Sequence, residues 1–375
     1  RSHMRKAAVI ALGKLGNSQA VEPLIQFLTN KYNIGTFKGY SYEECYLLKS
    51  IALNALVEIG DTQAIEPIIK CLSDREDRLR NFAINALVKW KNNLTVEPLI
   101  DCLSSKNYET VKSAIQALGT LGDMRAVEPL INQLSYKDSN RSIDISIVEA
   151  LGKLGDKRAV EPIIEFLFCT DDTMRFFAVK ALGEIGDKKA IEPLIKCLSD
   201  KDSHISEKAA QSLGSIGDKQ AIEPLIKCLI HLDSKVREAA AEALHVLGET
   251  QWKEKIKGDD YDIIRLVQTK EKRFVELIAE SLSNKNEYEY YLSAVALGKI
   301  GDIRAFKHLI IMLSEEITAQ WYSLALESLE DLLTQLSIFE ASQMLKENLV
   351  SPNPKIRVLM AKLLERLGEP KWKNV

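Results

Sequence analysis

Apolar residues recur at helical spacing in two successive stripes along most of the chain. In one unit the first stripe fills positions i, i+3, i+4, i+7 and i+10: Val111, Ala114, Ile115, Leu118 and Leu121. After a short break a second stripe follows: Val127, Leu130, Ile131 and Leu134. Stripes with this spacing are typical of amphipathic helices that bury one face. Each unit is therefore predicted to be a helical hairpin.

One proline position sets the period of these hairpins. Seven of the 10 prolines occupy it, and their sequence numbers differ in turn by 44, 31, 31, 33, 31 and 31: Pro23, Pro67, Pro98, Pro129, Pro162, Pro193 and Pro224. Leu277, His308 and Met344 take the same position in a less regular continuation. Because one hairpin cannot bury its own stripe, neighbouring hairpins must stack. We predict an all-α fold, an α-solenoid of about ten stacked hairpins plus a final helix.

A glycine-rich phrase separates the two helices of each hairpin. In Leu118-Gly119-Thr120-Leu121-Gly122-Asp123 the glycines are predicted to end the first helix, and the aspartate to start the next one. Pro129 falls early in the second helix, where a missing N–H costs least. Fifteen of the 18 glycines lie in this recurring phrase. The Gly-x-x-Gly pattern is thus predicted to be a helix-ending turn rather than a phosphate-binding or RNA-binding loop.

The repeated phrase is Leu-Gly-x-Ile/Leu-Gly-Asp-x-x-Ala-Val/Ile-Glu-Pro-Leu-Ile, and its cleanest copies run over residues 186–198 and 217–229. It resembles the HEAT-like repeat named after the phycobilin (PBS) lyases. The resemblance covers nearly the whole chain. It implies an α-solenoid used as a binding scaffold, with the second helices lining the concave side. It fixes no ligand, because this repeat occurs in adaptors, bilin lyases and other proteins.

Interruptions of the period suggest a domain organisation. Residues 1–4 look like an expression-vector remnant, and 5–248 form a regular array with an insertion at 31–42. Residues 249–271 are predicted to be an insertion or module boundary, and 272–375 less regular repeats of the same type. The phrase at 248–253, which contains Trp252, returns at 368–373 with Trp372 and resembles a module boundary of longer family members. We therefore expect the chain to be part of a longer protein.

Composition then excludes several classes. The chain is 46% apolar and 27% charged, which is ordinary for a soluble protein, and its formal charge is −3. Fifty basic residues against 53 acidic ones give no overall attraction to nucleic acid or to an anionic membrane. No apolar run approaches the ~20 residues of a membrane span, and no secretion signal opens the sequence. We predict a cytoplasmic protein.

Residues with catalytic or metal-binding chemistry are sparse. None of the histidines is followed by glutamate, so the His-Glu metal motifs of the HEAT-repeat deoxyhypusine hydroxylases are missing. The sequence also contains no Walker loop, nucleophile elbow or His-Glu-x-x-His motif. Four cysteines stand four residues after a repeat proline and are predicted to be small buried apolar groups: Cys71, Cys102, Cys197 and Cys228. We predict a non-enzymatic protein without cofactor or metal.

The position three residues after each repeat proline is the main candidate for partner binding. It is polar and changes from copy to copy: Gln26, Lys70, Asp101, Asn132, Glu165, Lys196 and Lys227. A varied polar position on a lining helix suits a tailored binding surface, although a solvent-facing position is also free to drift. The insertion at 31–42 adds further candidate anchors: Tyr32, Phe37 and Tyr40. Its alternative interpretation is a flap over the N-terminal end of the solenoid. We predict a scaffold or adaptor that binds a protein partner on the concave face.

A basic edge before the second helices supports an alternative function. It consists of Arg125, Lys157, Arg158, Lys188, Lys189 and Lys219, spaced by about one helix layer per repeat. Such an edge is suited to follow a phosphate backbone, which makes nucleic-acid binding the secondary hypothesis. A solvated edge is its plainer interpretation, because an aspartate precedes each group. Bilin handling is a third and weaker alternative, which follows only from the family resemblance.

Overall fold

The computed structural model describes residues 2–29, 42–74, 77–90, 93–135, 141–231, 233–258, 262–269, 271–283, 287–315 and 317–366. These residues contain 22 α-helices, named α1 to α22 in chain order, and no strand. The chain divides into two compact units, Arg1–Pro193 and Leu194–Val375. Each unit is a stack of helical hairpins, so the predicted all-α solenoid is confirmed.

In the first unit, long first helices alternate with short second helices. The first helices are α1 (Ser2–Leu15), α3 (Tyr42–Ile59), α5 (Asp77–Trp90), α7 (Tyr108–Leu121), α9 (Arg141–Leu154) and α11 (Asp172–Ile185). The second helices are α2 (Val21–Thr29), α4 (Ile65–Lys70), α6 (Val96–Asp101), α8 (Val127–Ile131) and α10 (Val160–Ile164). A further second helix, α12 (Ile191–Cys197), spans the boundary of the two units. Successive first helices pack against one another, as do α7 and α9.

The second unit continues the alternation with one interruption. Its first helices are α13 (Ser203–Ile216), α15 (Ser234–Val246), α16 (Asp262–Val267), α18 (Glu287–Lys299), α20 (Ala319–Gln335) and α22 (Pro354–Arg366). Its second helices are α14 (Ile222–Cys228), α17 (Lys272–Ser281), α19 (Ala305–Ser314) and α21 (Ile338–Asn348). Within the described residues, ten second helices and the closing α22 agree with the predicted hairpins and final helix, and α15 is one first helix more than predicted.

Each second helix of the regular repeats begins with a 3₁₀ turn. Asp123 has an extended backbone, and its carboxylate accepts a hydrogen bond from the Arg125 N–H at 2.9 Å. A 3₁₀ turn follows over Met124–Ala126, and α8 starts only at Val127. The tighter turn matches an N-terminus whose third α-helical residue, Pro129, has no N–H to donate. The predicted role of these aspartates as helix starters is confirmed, and the second helix is shorter than its apolar stripe.

The apolar stripes form the core between the stacked hairpins. Ala114, Ile115 and Leu118 in α7, and Leu130 in α8, are fully buried. Tertiary packing against the next hairpin, rather than the propensity of so short a helix, therefore holds the second helices in place.

The two glycines of the repeated phrase have different roles. Gly122 ends α7 in the left-handed conformation, with φ of +75°, as predicted. Gly119 lies inside α7, where an added Cβ would be 2.8 Å from the Cα of Ala150 in α9. Gly214 faces Ala243 in the same way. The expectation that both glycines end the helix is thus wrong for the first one, which allows neighbouring first helices to approach closely.

The interruption in the second unit follows α15. The segment after this helix turns back at residues 252–256, and Trp252 is fully buried. The Lys253 ammonium pairs with the Glu242 carboxylate of α15 at 2.7 Å. Residues 249–258 thus follow α15 in the sequence where a second helix follows each regular first helix, and α16 is the first helix that precedes α17.

Candidate protein-binding face

The predicted row of variable positions, three residues after each repeat proline, lies on the exposed side of the second helices and is called the second-helix row. In the first unit the row consists of Gln26, Lys70, Asp101, Asn132 and Glu165, all exposed. In the second unit Lys196 and Lys227 are exposed at the same position. Within the preceding helical turn, each of these helices has a fully buried side chain that packs in the core, such as Leu99 before Asp101 and Leu130 before Asn132. Each exposed side chain is thus presented from a fixed point in its repeat.

Two members of this second-helix row are bonded to the glutamate one turn before them. The Lys70 ammonium lies 2.8 Å from the Glu66 carboxylate, and this hydrogen bond lowers the pKa of Glu66. The Gln26 amide donates to Glu22 at 2.9 Å. Both contacts join residues four positions apart, which lie on the same face of a helix.

The two arginines of the basic edge are joined to carboxylates. Arg125 pairs with Asp123 at 2.9 Å and with Glu97 of the preceding repeat at 3.2 Å. Arg158 repeats this arrangement with Asp156 at 2.7 Å and Glu128 at 3.1 Å.

Two lysines of the edge extend the same ladder. Lys189 reaches Glu161 of the preceding repeat at 3.1 Å, and Lys157 reaches Asp187 of the following repeat at 3.3 Å. The glutamates before the prolines thus link successive repeats.

The ladder shapes the electrostatics of this edge. Hydrogen bonds from Arg125 and Arg158 lower the pKa of Asp123 and of Asp156, so both carboxylates carry their charge near neutral pH. The positive charge of these arginines is balanced locally, which reduces the field available to a phosphate backbone. Lys188 and Lys219 are exposed at the same edge.

The aromatic candidates of the first insertion, Tyr32, Phe37 and Tyr40, lie outside the described residues. Other aromatic residues gather between α18 and α20. The rings of Tyr290 and Tyr291 are 5.6 Å apart, and Trp321 lies 5.8 Å from Tyr291. His308 in α19 lies 3.1 Å from the Tyr290 hydroxyl. These half-buried rings contact one another and therefore act as packing between hairpins.

A buried polar position in the first helices was not identified from the sequence. Arg80, Arg175 and Arg237 each stand at the same offset after a repeat proline and are at most 8% exposed. Each guanidinium donates to the backbone carbonyl six residues earlier, at 2.7, 3.0 and 2.8 Å respectively. The signal was present, because arginine recurs at one fixed offset. These residues join successive hairpins and take no part in the exposed row.

Arg237 also contacts a fully buried carboxylate. Asp262, at the start of α16, accepts from the Arg237 Nε at 3.1 Å and from the backbone N–H groups of Lys257 and Gly258 at 2.7 and 3.1 Å. Arg265 donates to it as well. The carboxylate is saturated with donors, and it connects α15, residues 257–258 and α16. This arrangement is structural, since no open position remains for a ligand.

The described residues offer neither a metal site nor a membrane-spanning helix. Within the described ranges, no three or more His, Cys, Asp or Glu side chains are placed to hold a metal ion. Of the helices described here, none has the length and apolar character needed to cross a bilayer. Cys71, Cys197 and Cys228 are buried free thiols, and Cys102 is half-buried.

Solved structures of several proteins resemble this chain. An engineered protein shares 19% identity over 93% of this chain and 98% of its own, with a TM-score of 0.37. The phycocyanin lyase complex of CpcE and CpcF from Nostoc sp. PCC7120 shares 24% identity over 74% of this chain and 96% of its own, with a TM-score of 0.37. Human deoxyhypusine hydroxylase shares 20% identity over 66% of this chain and 91% of its own, with a TM-score of 0.31. Similarity at this level carries no inference about activity.

Sequence comparison identifies the family. No curated protein matches the chain. The profile described as HEAT repeats matches residues 41–119, 96–176 and 160–245, which together cover more than half of the chain. The profile described as PBS lyase HEAT-like repeat matches residues 4–30. With more than half of its length matched, and with hairpins stacked at the matched period, the chain belongs to the HEAT-repeat family.

Proposed function

We propose that this protein is a non-enzymatic scaffold or adaptor that binds a protein partner on its second-helix row. The observation that carries the proposal is the contrast within each second helix. The proline and the buried aliphatic residues repeat, while the exposed side chain three residues after the proline changes between amide, cation and carboxylate. A constant frame with one varied exposed position per repeat suits recognition of an extended protein surface.

The mixed chemistry of the row favours protein over nucleic acid. In the first unit it presents an amide, a cation, a carboxylate, a second amide and a second carboxylate in turn. A phosphate backbone would require a single sign of charge along its path. The basic edge has that sign, but Arg125, Arg158 and Lys189 are already paired with carboxylates. Nucleic-acid binding is therefore the second candidate and is tested in the same experiment.

The experiment compares charge reversals on and off the row. The full chain is immobilised, and a lysate of the source organism is passed over it with and without nuclease treatment. The affinity of the purified captured protein is then measured by titration. Lys196→Glu with Lys227→Glu should weaken this affinity about tenfold, the scale of two reversed interfacial charges. The control is Lys235→Glu with Lys272→Glu, which makes the same charge change at exposed positions in the first turns of α15 and α17.

Three outcomes would overturn the proposal. Equal affinity of the row variant and the wild type would remove the second-helix row as the binding site. Loss of all captured protein after nuclease treatment, with nucleic acid in the untreated eluate, would favour the basic edge. A visible absorbance band after mixing with a bilin would favour chromophore handling. Deletion of residues 31–42 tests the insertion separately, and it should weaken binding if the insertion is a second contact.

A further inference from the structure

An exposed groove with apolar and basic residues lies on the last described helices. It is lined by Tyr322 of α20 and by Pro354, Lys355, Val358, Leu359 and Lys362 of α22, and its volume is about 410 Å³. Tyr322 is 40% exposed and Val358 is 45% exposed. Lys355 and Lys362 are two helical turns apart, so both lie on the face of α22 that carries Val358 and Leu359. The groove is thus apolar at its centre and basic at both ends.

The helix α22 corresponds in sequence to the earlier helix α15. At one constant offset and without a gap, Arg357 aligns with Arg237, Gly368 with Gly248, and Trp372 with Trp252. The structure supports this correspondence. The guanidinium of Arg357 donates to the Ser351 carbonyl at 2.8 Å, as that of Arg237 donates to the His231 carbonyl at 2.8 Å. Surfaces of α15 and α22 can therefore be compared position by position.

The face of α15 that corresponds to the groove is exposed, and a following segment of the chain contacts it at two points. Glu238 and Glu242 lie on this face, and the Lys253 ammonium bonds to Glu242 at 2.7 Å. Gly258 lies so close to the Glu238 carboxylate that a Cβ there would overlap it. An acidic helix face is thus contacted by a segment that supplies a cation.

The charge of this face is changed in α22. Val358 and Lys362 stand where α15 has Glu238 and Glu242. In the part of the chain that the structure describes, no carboxylate lies within ion-pair distance of Lys355 or Lys362. In sequence, Lys373 aligns with Lys253 and has the same charge as Lys362. The groove therefore favours an occupant that supplies carboxylates around an apolar centre.

We propose that the groove between α20 and α22 binds an acidic amphipathic helix of a partner protein. Its apolar side chains pack against Tyr322 and Val358, and its carboxylates pair with Lys355 and Lys362. Recognition of a helix in an apolar groove is a common mode of peptide binding, and flanking charges select the partner. The groove lies on first helices, so this inference goes beyond the proposed function of the second-helix row and stands or falls separately.

The test uses a designed probe and the full chain. The probe is a fluorescein-labelled helical peptide of about 16 residues, with leucines at i, i+3, i+4 and i+7 and glutamates on both flanks. A matched peptide has lysine in place of each glutamate, and a third carries residues 366–375 of this chain. Fluorescence anisotropy should show at least about tenfold tighter binding of the acidic peptide than of either other peptide.

Variants of the groove separate charge from apolar contact. Lys355→Glu with Lys362→Glu should invert the preference between the acidic and basic peptides. Val358→Asp should weaken the acidic peptide about tenfold. The control, Lys235→Glu with Lys272→Glu, makes the same charge change elsewhere and should leave the preference unchanged. Circular dichroism verifies folding, and the two lysine changes at exposed positions remain informative if the Val358 variant unfolds.

The proposal is overturned by any of four results. These are equal binding of the acidic and basic peptides, an unchanged preference in the Lys355 and Lys362 double variant, tighter binding of the 366–375 peptide, and no saturable binding of the acidic peptide up to about 1 mM, the weak limit of specific recognition.

Discussion

Replacing Gly119 by alanine should destabilise the first unit, even though alanine is the better helix former. The added Cβ in α7 would lie 2.8 Å from both the Cα and the Cβ of Ala150 in α9. Carbon atoms pack best at about 3.5–4.0 Å, so the two helices must separate locally by roughly 1 Å. Because one of the two atoms belongs to the backbone, no change of rotamer relieves the contact.

The magnitude follows from two opposing effects. Gly to Ala inside a helix contributes about 1 kcal/mol through helix propensity. Overpacking costs about 1–3 kcal/mol, and a backbone contact places this site at the upper end. We expect the Gly119→Ala variant to lose about 1–2 kcal/mol of unfolding free energy, the difference of the two.

The double variant Gly119→Ala with Ala150→Gly should not recover this loss. It removes the contact with the Ala150 Cβ, but the contact with the Cα remains at 2.8 Å.

Gly122 provides a matched comparison three residues later. An added Cβ there meets no atom within 4 Å, but φ is +75°. Alanine at this position should cost about 1–2 kcal/mol through backbone strain alone. Asparagine should cost less, because its side chain tolerates the left-handed region. Asparagine at position 119 has no such advantage, since the obstacle there is steric.

Urea unfolding followed by circular dichroism measures these differences, provided that the m-values agree. Hydrogen exchange of the α7 and α9 amides then tests whether the loss is local to this helix pair. Gln116→Ala on the exposed face of α7 is the control and should be neutral or slightly stabilising. A Gly119→Ala variant as stable as the wild type would refute the close-approach argument. Full recovery by Ala150→Gly would show that only the side-chain contact matters.

Three further predictions concern buried polar groups. Asp262→Asn should lower the free energy of unfolding in urea by about 3–5 kcal/mol, because it leaves buried donors without their charged acceptor. The control is Asp172→Asn, whose carboxylate is half-exposed, and an equal or larger loss in this control would contradict the prediction. Burial lowers the pKa of His231, so the unfolded state binds the proton of this residue more tightly than the folded state. The free energy of unfolding should therefore be highest above about pH 6.5 and should fall as the pH drops below that value. His231→Gln should flatten the thermal stability between about pH 5 and 7, and an unchanged slope would count against it. Burial raises the pKa of Cys71 to about 11, so iodoacetamide at pH 8 should label half-buried Cys102 before Cys71. Mass spectrometry reports the order of labelling, and the reverse order would contradict the burial of Cys71.

The features that follow the period were predictable from one sequence. The apolar stripes specify hairpins, and the aspartate and the second glycine of the phrase act on the backbone next to them. Their effect is local, so neighbouring residues are sufficient to infer it. The exposure of the second-helix row was predictable for the same reason, because a polar residue between buried positions of one helix must face solvent.

The features that depend on the next repeat were not predictable in this way. Gly119 is required because a side chain there would collide with the Cα of Ala150, which lies one repeat later in the sequence. The basic edge was interpreted as a possible binding surface for phosphate groups, because the sequence places a lysine or arginine at the same point of successive repeats. The glutamates that pair with them, such as Glu97 with Arg125, come from the repeat before. To predict a contact between repeats one must know how neighbouring repeats are aligned when they stack, and the sequence of a single repeat does not contain this information.

The buried polar position of the first helices shows how different residues meet one physical requirement. The last carbonyls of a helix have no partner within it, and in several hairpins a side chain of the next first helix donates to one of the carbonyls that follow. Arg175 reaches the Cys169 carbonyl at 3.0 Å, while the shorter Ser206 reaches that of Asp200 at 3.3 Å. Asp144 has the opposite polarity and accepts from the Ser135 N–H at 3.1 Å. The loop before it is longer than in the regular copies of the repeat, and it presents a donor in place of a carbonyl. In these copies the repeat therefore preserves a hydrogen bond between hairpins rather than one residue type, and a search for identical residues does not detect it.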